Sequence, residues 1–399
     1  MDIQLGGTRK AAIVLVLLSG SPMLALCFTL ISPVIPLIAI AFDGQVEDST
    51  LFAQTVITYA ATGMMVGGPI GGWLASQIGT KTVLLGSFIT FLIAGTAGFW
   101  ITDPFLLLSS RVLLGAAACS LQTCCFAFTG DLFSGVLRIR ILSLQPAMGA
   151  IVAILSILLA GEVASAHGWQ AVFILYLLGI PSLILAVFVL PSTHSVSTEE
   201  DDSANKNIGQ YLKVWYIFVL MAGVSILLNM PSIQLPLKLA ADGILDPAIN
   251  SRVVAAFSIT LSLAAIGYNE ARNYLGTHGV FLFGLVILGA GYTLIGFTSA
   301  PLMTAAAAAL AGIGGGLINP HFSILMIERT PEAIRTSALG FLMACFFFGE
   351  FMIPYTANPL RLAFGIDTML QIFGGVAVVA ATIGFLWIQF KPTIDTQRY

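Results

Sequence analysis

Long apolar runs, interrupted only by short polar stretches, follow one another along almost the whole chain. About 20 apolar residues are needed to cross the hydrocarbon core of a bilayer as a helix, and a helix satisfies its own backbone hydrogen bonds there. The runs therefore predict an all-α integral membrane protein. Its twelve predicted spans lie near residues 11–41, 51–75, 82–101, 104–128, 141–163, 170–191, 212–239, 249–270, 279–298, 301–327, 336–359 and 366–390.

The charge content agrees with this fold class. Only 9% of the 399 residues are charged and 58% are hydrophobic, with a mean hydropathy of +0.97, whereas soluble domains carry about 25% charged residues. We expect a lipid bilayer as the surroundings and no nucleic-acid partner. The first run follows Arg9-Lys10 and is too long for the core of a cleaved signal peptide.

The cysteines show no metal or disulfide pattern. All five lie inside apolar runs, at positions 27, 119, 124, 125 and 345, where cysteine behaves as a small packing residue. Their spacing contains no Cys-x-x-Cys or Cys/His arrangement typical of zinc sites. We therefore expect neither a metal nor another cofactor.

A short polar interruption appears twice at a constant distance. Gly79-Thr80 recurs as Gly276-Thr277, 197 residues later. The same offset relates Gly115 to Gly312, Gln122 to Asn319, Asp131 to Glu328 and Arg138 to Arg335. A single offset for all these pairs indicates an internal duplication. The predicted domains are a six-helix bundle at 1–191, a polar and acidic linker at 192–211 with nothing to bury, and a second six-helix bundle at 212–399.

The distribution of basic residues indicates which side of the membrane each loop faces. Cytoplasmic loops carry an excess of Lys and Arg. With both termini inside, twelve basic residues lie on the cytoplasmic side and three, Lys238, Arg252 and Arg361, on the other. We therefore expect a multi-pass protein of the plasma (inner) membrane with both termini and the linker in the cytoplasm.

The stretch 72–81 resembles the loop signature of the major facilitator superfamily, Gly-x-Leu-Ala-Asp-Arg-x-Gly-Arg-Lys, between the second and third spans. The matching residues are Gly72, Leu74, Ala75, Gly79 and Lys81. The Asp and two Args of the signature are replaced by Ser76, Gln77 and Thr80. Gly-Trp-Gln-Ala-Val-Phe at 168–173, before the sixth span, and the Arg-x-x-x-Gly of the fourth span are also similar to the family.

The resemblance implies two pseudo-symmetric bundles that act as a monomeric secondary transporter by alternating access, around a site made by spans one, four, seven and ten. Arg111 in the fourth span resembles the arrangement in proton-coupled drug exporters. The fifth span, however, lacks their Gly-Pro-x-x-Gly-Gly pattern, since the residues at 145–149 read Gln-Pro-Ala-Met-Gly.

Glycines and charges near the cytoplasmic helix ends are candidates for a conformational latch, because charged members of such a loop would hold helix ends together. The candidates are Gly72, Gly79, Lys81, Asp131, Arg138, Arg140, Arg272, Glu328 and Arg335. We expect Asp131 to pair with Arg138 and Arg140, and Glu328 to pair with Arg335. The alternative is ordinary solvated charges, with each pair contributing about 0–1 kcal/mol.

Two charged residues lie inside predicted spans, where a charge costs roughly 2.5–3.5 kcal/mol on insertion scales and indicates function. Arg111 is about 12 Å from the outer end of the fourth span and Glu350 about 22 Å from the inner end of the eleventh, at about 1.5 Å per residue. Glu350 could exchange a proton near neutral pH unless a cation such as Arg111 holds it ionised. The alternative is a buried structural ion or hydrogen bond.

Further polar residues could line a substrate and proton pathway. On the fourth span a helical stripe contains Arg111, Gly115, Ala118, Gln122, Cys125 and Thr129. We interpret Arg111 and Gln122 as cavity-lining and the glycines as packing residues. The other candidates are Asn319, His321, Asn229 and Gln234, with His321 interpreted as a hydrogen-bonded lining residue. Prolines at 33, 36, 231 and 236 would free backbone carbonyls, which suits a gate.

The leading functional hypothesis is a secondary active transporter that exports a small organic molecule by proton-coupled antiport. The alternative is a proton-coupled transporter of an organic anion or metabolite with Arg111 as its counter-ion. A non-transporting membrane sensor or an enzyme has less support, because the four histidines are scattered and no Ser/His/Asp group is apparent. The sequence also lacks the Gly-x-x-x-x-Gly-Lys-Ser/Thr loop of proteins driven by ATP.

Overall fold

The computed structural model describes residues 7–191 and 208–390, and every regular element within these ranges is a helix. The predicted linker lies outside the described residues except for its last four. The α-helices are α1 (Gly7–Leu18), α2 (Gly20–Thr29), α3 (Ile35–Ala41), α4 (Ser49–Ile78), α5 (Thr80–Trp100), α6 (Pro104–Leu132), α7 (Gly135–His167), α8 (Ile180–Val189), α9 (Ile208–Ala241), α10 (Pro247–Ile266), α11 (Tyr268–Ile295), α12 (Pro301–Arg329) and α13 (Glu332–Phe390). Two 3-10 segments, Ser32–Val34 and Trp169–Gly179, complete the first half.

These helices correspond to the predicted spans. Within residues 7–191 and 208–390, ten segments are long and apolar enough to cross a membrane. The first, Arg9–Ala41, joins α1 to α3. The last, Ser337–Leu386, has 50 residues and is long enough for two crossings of about 20 residues each. The more polar α4, with 30 residues, occupies the position of the second predicted span. The all-α prediction is confirmed, and the helices are consistent with twelve spans.

Local sequence determines where several helices begin. Asp48 caps α4, since its carboxylate accepts a hydrogen bond of 2.8 Å from the Leu51 amide. Asp103 caps α6 through the Leu106 amide at the same distance. The next residue, Pro104, suits the first helical turn because its missing N–H would have no partner there. Side-chain caps of this type stabilise a helix by about 1 kcal/mol.

The duplication is visible in the backbone. Gly79 ends α4 at φ 90° and Gly276 kinks α11 at φ 73°, 197 residues later. The same offset relates Gly168 at φ 86° to Gly365 at φ 81°. Positive φ favours glycine, which lacks the Cβ that would clash. Both halves therefore turn at equivalent points for the same steric reason.

Contacts divide the chain into two compact units. Unit 1 comprises the described residues of Met1–Arg252 and Arg329–Asn358, and unit 2 those of Val253–Glu328 and Pro359–Tyr399. This division differs from the two sequence halves. Unit 1 contains the first half together with α9, the beginning of α10 and the first part of α13.

Glycines allow close helix packing within each unit. In unit 1, a Cβ added to Gly115 of α6 would lie 1.9 Å from the Ala60 carbonyl oxygen on α4. In unit 2, a Cβ added to Gly312 of α12 would lie 2.4 Å from the Phe257 carbonyl oxygen on α10. The two contacts are equivalent, since Gly312 and Phe257 lie 197 residues after Gly115 and Ala60. The packing interpretation of these glycines is confirmed, because only a residue without a side chain fits at such distances.

Candidate functional site

Arg111 is fully buried on α6 inside the first half. Its Nη2 donates to two backbone carbonyls of α5, those of Ala94 at 2.6 Å and Gly95 at 3.2 Å. Its Nη1 donates to the Tyr176 hydroxyl at 3.4 Å, and its Nε to the Ser110 hydroxyl at 3.2 Å. The guanidinium therefore has neutral oxygen partners, which is one way of offsetting the desolvation of a buried charge.

Two aromatic rings from the 3-10 segment Trp169–Gly179 cover the same guanidinium. Its central carbon lies 4.9 Å from the ring centre of Phe173 and 5.5 Å from that of Tyr176, within the range of cation–π attraction. Glycines on α5 make room for the rings. A Cβ on Gly98 would lie 2.1 Å from the Phe173 ring, and one on Gly95 would lie 2.6 Å from the Tyr176 ring.

This placement differs from the expected cavity wall. Among the described residues no ion pair joins Arg111 to Glu350, although both belong to unit 1. Helical spacing placed Arg111 on one stripe with Gly115 and Gln122, and all three residues are buried on α6. It could not show that the ring-bearing segment more than sixty residues later would enclose the side chain.

Glu350 lies on α13 in unit 1 with 4% of its surface exposed, and its Oε2 has no hydrogen-bond partner among the described residues. Helices α9 and α13 approach closely beside it. A Cβ on Gly349 would lie 2.2 Å from the Ala222 carbonyl oxygen, and the Ser225 hydroxyl donates to the Phe346 carbonyl. A carboxyl group with an unused oxygen at such a junction is available to a proton or to a ligand.

Gln122 belongs to a buried polar chain between α6 and α7. Its Nε2 donates to Oε1 of Gln145 at 3.1 Å, and Nε2 of Gln145 donates to the Thr129 hydroxyl at 3.3 Å. Gln122 Oε1 has no hydrogen-bond partner among the described residues. It faces α2, where a Cβ on Gly20 would lie 2.6 Å from it. The expected cavity-lining amide is thus packed between three helices in this conformation.

Gln234 of α9 is fully buried and donates through Nε2 to Oε1 of Gln54 on α4, at 2.9 Å. Both residues belong to unit 1 but to different sequence halves. Gln54 Nε2 and Gln234 Oε1 have no partner among the described residues. An unpaired buried polar atom costs about 1–3 kcal/mol, so this amide pair is only partly satisfied.

Four other polar contacts in unit 1 join the halves near Gln54 and Gln234. They are the Ser32 hydroxyl to the Ser232 carbonyl, Asn250 Nδ2 to the Pro33 carbonyl at 3.3 Å, Asn358 Nδ2 to Asp48 Oδ2 at 2.9 Å, and Arg252 Nη2 to Glu162 Oε1 at 2.8 Å. We call these five contacts the distal layer. They lie towards the loops at 42–48 and 242–246, at the opposite ends of the spans from the amino terminus.

One contact of the distal layer follows directly from a proline. Pro236 lies inside α9 and has no N–H to bond the carbonyl four residues earlier. That carbonyl belongs to Ser232, and the Ser32 hydroxyl donates to it. The sequence expectation that prolines free carbonyls in this region agrees with the structure.

The remaining pathway candidates do not join one cluster. Asn229 bonds within α9, donating to the Ser225 carbonyl at 3.2 Å. In unit 2, His321 is buried, bonds the Tyr268 hydroxyl through Nδ1 at 3.2 Å and stacks on Phe281. Asn319 is exposed in the same unit. His321 therefore fits the hydrogen-bonded interpretation.

The latch candidates form contacts other than those expected. Lys81 donates to the carbonyls of Val187 at 3.2 Å and Leu190 at 2.6 Å, at the end of α8. Asp131, Arg138 and Arg140 are exposed, and no ion pair joins them in the described part of the chain. The predicted pairing of Asp131 was therefore wrong for this conformation, because these side chains lie in solvent-accessible positions where such pairs contribute little.

Glu328 also has a different partner from the one predicted. It accepts a hydrogen bond of 2.7 Å from Arg272, which in turn donates to the Thr277 hydroxyl at 3.0 Å. Arg335, the predicted partner, donates instead to the Thr330 carbonyl at 3.5 Å. Gly72 lies half-buried within α4, seven residues before the turn at Gly79. The stretch at 79–81 in the first half and its counterpart at 276–278 in the second half are thus held by different contacts.

A duplicated all-helical bundle with a buried acid and a polar layer between its sequence halves is the architecture of a polytopic membrane transporter. Residues 17–244 match the family model described as Major Facilitator Superfamily. The chain belongs to this family, and it is a multi-pass membrane transporter and not an enzyme.

Similar proteins include transporters with different substrates in their names. The cis,cis-muconate transport protein of Acinetobacter baylyi is 22% identical over 95% of this chain and 93% of its own length. The multidrug resistance protein MdtL of Citrobacter koseri is 24% identical over 65% of this chain and 72% of its own.

Solved structures support the fold. A D-xylose-proton symporter superposes with a TM-score of 0.76 at 16% identity, covering 94% of this chain and 97% of its own. The nucleoside transporter NupG superposes with a TM-score of 0.72 at 15% identity, covering 95% and 100%.

Sequence reasoning missed Gln54, Gln145, Phe173 and Tyr176. Gln54 and Gln145 are amides inside apolar runs, which is a weak signal because a single amide can bond its own helix. Phe173 ends the family-like stretch at 168–173, but neither that stretch nor Tyr176 indicated a contact with Arg111, since aromatic residues are common in membrane spans. The role of the two rings depends on which helices pack against the Trp169–Gly179 segment, and the sequence does not show that.

Proposed function

We propose that the chain is a proton-coupled secondary transporter that exports a small organic molecule by alternating access. The observation that carries this proposal is Glu350, a carboxyl group inside a span whose Oε2 has no hydrogen-bond partner among the described residues. A carboxyl group there can take up and release a proton, whereas Arg111 is already enclosed by carbonyls and rings. The similarity to a D-xylose-proton symporter is compatible with proton coupling, and that to the multidrug resistance protein MdtL is compatible with a drug as substrate.

In this proposal the distal layer faces the cell exterior and both termini face the cytoplasm. Support comes from the twelve basic residues assigned to one side against three on the other, in accordance with the positive-inside rule. The proposed membrane is the plasma (inner) membrane, and the proposed functional unit is a monomer.

Proton coupling through Glu350 is tested with Glu350→Gln in reconstituted vesicles. We expect the variant to fold and to bind substrate but to lose substrate-induced proton movement, because an amide cannot release a proton. Glu162→Gln makes the same chemical change at an exposed site and serves as the matched control. Proton movement equal to that of the wild type in Glu350→Gln would refute this assignment.

A second candidate function is proton-coupled transport of an organic anion. The similarity to the cis,cis-muconate transport protein across 95% of the chain favours it. The contacts of Arg111 argue against its role as counter-ion in this conformation. The two candidates are distinguished by adding cationic and anionic compounds to reconstituted vesicles and measuring proton movement. Export of cationic drugs requires proton movement when cations are added. A signal with anions alone would exclude the multidrug function.

A further inference from the structure

We propose that Gln54 and Gln234 are positioning residues of the transport cycle, whose amide pair locks the distal ends of the two sequence halves together and breaks when that end opens. This inference rests on the proposed transport cycle. The pair is an uncharged lock, formed by two fully buried side chains 180 residues apart in the sequence.

The geometry singles out this pair among the five contacts of the distal layer. The ion pair of Arg252 with Glu162 is largely exposed, with 65% and 59% of the side chains accessible, so solvent screens it. The bond from Ser32 ends on a backbone carbonyl that Pro236 leaves free in any conformation. Gln54 and Gln234 alone combine complete burial of both side chains with a bond between them.

The contacts between the halves extend deeply enough to close a pathway. Along α4 they run from Asp48, whose carboxylate bonds Asn358 in the distal layer, to a ring contact below that layer, where the ring of Tyr59 lies 5.8 Å from that of Phe351 on α13. Eleven residues of helix separate Asp48 and Tyr59, which corresponds to about 17 Å at about 1.5 Å per residue. Gln54 lies near the middle of this depth.

The unpaired atoms explain why such a lock would open readily. In the closed state Gln54 Nε2, Gln234 Oε1 and, in the same layer, Asn250 Oδ1 have no hydrogen-bond partner within the part of the chain that the structure describes. Water would satisfy all of these atoms once the distal end opened. The single amide bond favours closure and the unpaired atoms oppose it. The unpaired atoms therefore reduce the net contribution of this pair to closure.

A double-mutant cycle tests the lock, with Gln54→Met, Gln234→Met and both together in the full chain. Spin labels on cysteines introduced for Glu47 and Leu245, two exposed residues of the distal loops, report the separation of the halves. Cys119 and Cys345, which are only half-buried, are replaced by serine in every sample. The measured quantity is the ratio of short to long label distances in detergent or nanodiscs.

We expect the matched pairs, Gln/Gln and Met/Met, to favour the short distance more than either mismatched pair. A mismatched pair loses the hydrogen bond and leaves the remaining amide wholly unpaired, whereas two apolar side chains have nothing to satisfy. The coupling between the sites should be about fivefold or more in the distance ratio. The exposed pair supplies the control, and Arg252→Gln should change the ratio by about twofold or less.

Additive effects of the two substitutions, or distances that none of the variants changes, would overturn the proposal. Thermal unfolding of each variant establishes that it is folded, and a parallel cycle with Leu replaces any Met variant that is not. The distances require neither substrate nor a proton gradient. Loss of coupling at the lock is therefore distinguishable from failure of the Glu350 experiment, which concerns transport alone.

Discussion

At the scale of single residues, Arg111 shows that a buried charge need not face a substrate. Its position in a span suggested function, because burying an arginine is costly. The structure offsets that cost locally, with two α5 carbonyls, two hydroxyls and two ring faces. We infer that Arg111 mainly ties α6 to α5 and to the Trp169–Gly179 segment in this conformation.

Replacing Arg111 by lysine should destabilise the protein by about 2–4 kcal/mol, since hydrogen bonds to charged groups contribute about 1.5–3 kcal/mol each. Lysine keeps the positive charge but lacks the planar fork that reaches several acceptors at once. Unfolding in detergent measures the change. Tyr176→Phe, which removes only the acceptor at 3.4 Å, should have a smaller effect, about 0.5–1.5 kcal/mol.

A different outcome would restore a direct transport role for Arg111. If Arg111→Lys unfolded like the wild type but transported no substrate, the structural interpretation would fail. The counter-ion hypothesis would then regain support, because charge position rather than packing would control activity.

At the scale of elements, the 3-10 segment Trp169–Gly179 acts as a cover for α5. Its rings reach the guanidinium because Gly95 and Gly98, three residues apart on α5, have no side chains where the rings of Tyr176 and Phe173 pack. The apolar content of the sequence predicted spans near 82–101 and 170–191, where the structure has α5 and the Trp169–Gly179 segment followed by α8. It could not predict this cover, since a glycine pair in a span is equally compatible with lipid exposure or with any neighbouring helix.

Substituting alanine for Gly98 should destabilise the protein by about 1–3 kcal/mol, as overpacking does, because the new Cβ would lie 2.1 Å from the Phe173 ring. Gly95→Ala should behave similarly against Tyr176. Gly86→Ala is a matched control on the same helix, where nothing lies within 4 Å of the added Cβ. That change should be neutral or stabilising, since alanine favours helix by about 0.5–1 kcal/mol over glycine. Equal unfolding midpoints for all three variants would contradict the proposed cover.

At the scale of the whole molecule, composition and the repeat predicted more than any residue pattern did. Crossing a bilayer requires about 20 apolar residues whatever the neighbours are, so the spans were readable from the chain itself. The pairing of Gln54 with Gln234 could not be read from the chain in this way. It depends on which conformation the halves adopt, and contacts between distant segments leave no local signature in either one.

The duplication predicts that equivalent glycines should respond alike to substitution. Gly115→Ala would place a Cβ 1.9 Å from the Ala60 carbonyl oxygen in unit 1, and Gly312→Ala would place one 2.4 Å from the Phe257 carbonyl oxygen in unit 2. A backbone atom cannot rotate away as a side chain does, so each change should destabilise the protein by about 1–3 kcal/mol or more. Gly86→Ala in unit 1 and Gly375→Ala in unit 2, both with open space, are the controls. Unfolding midpoints lowered by only one of the two substitutions would show that the halves, although duplicated in sequence, no longer depend on the same packing contact.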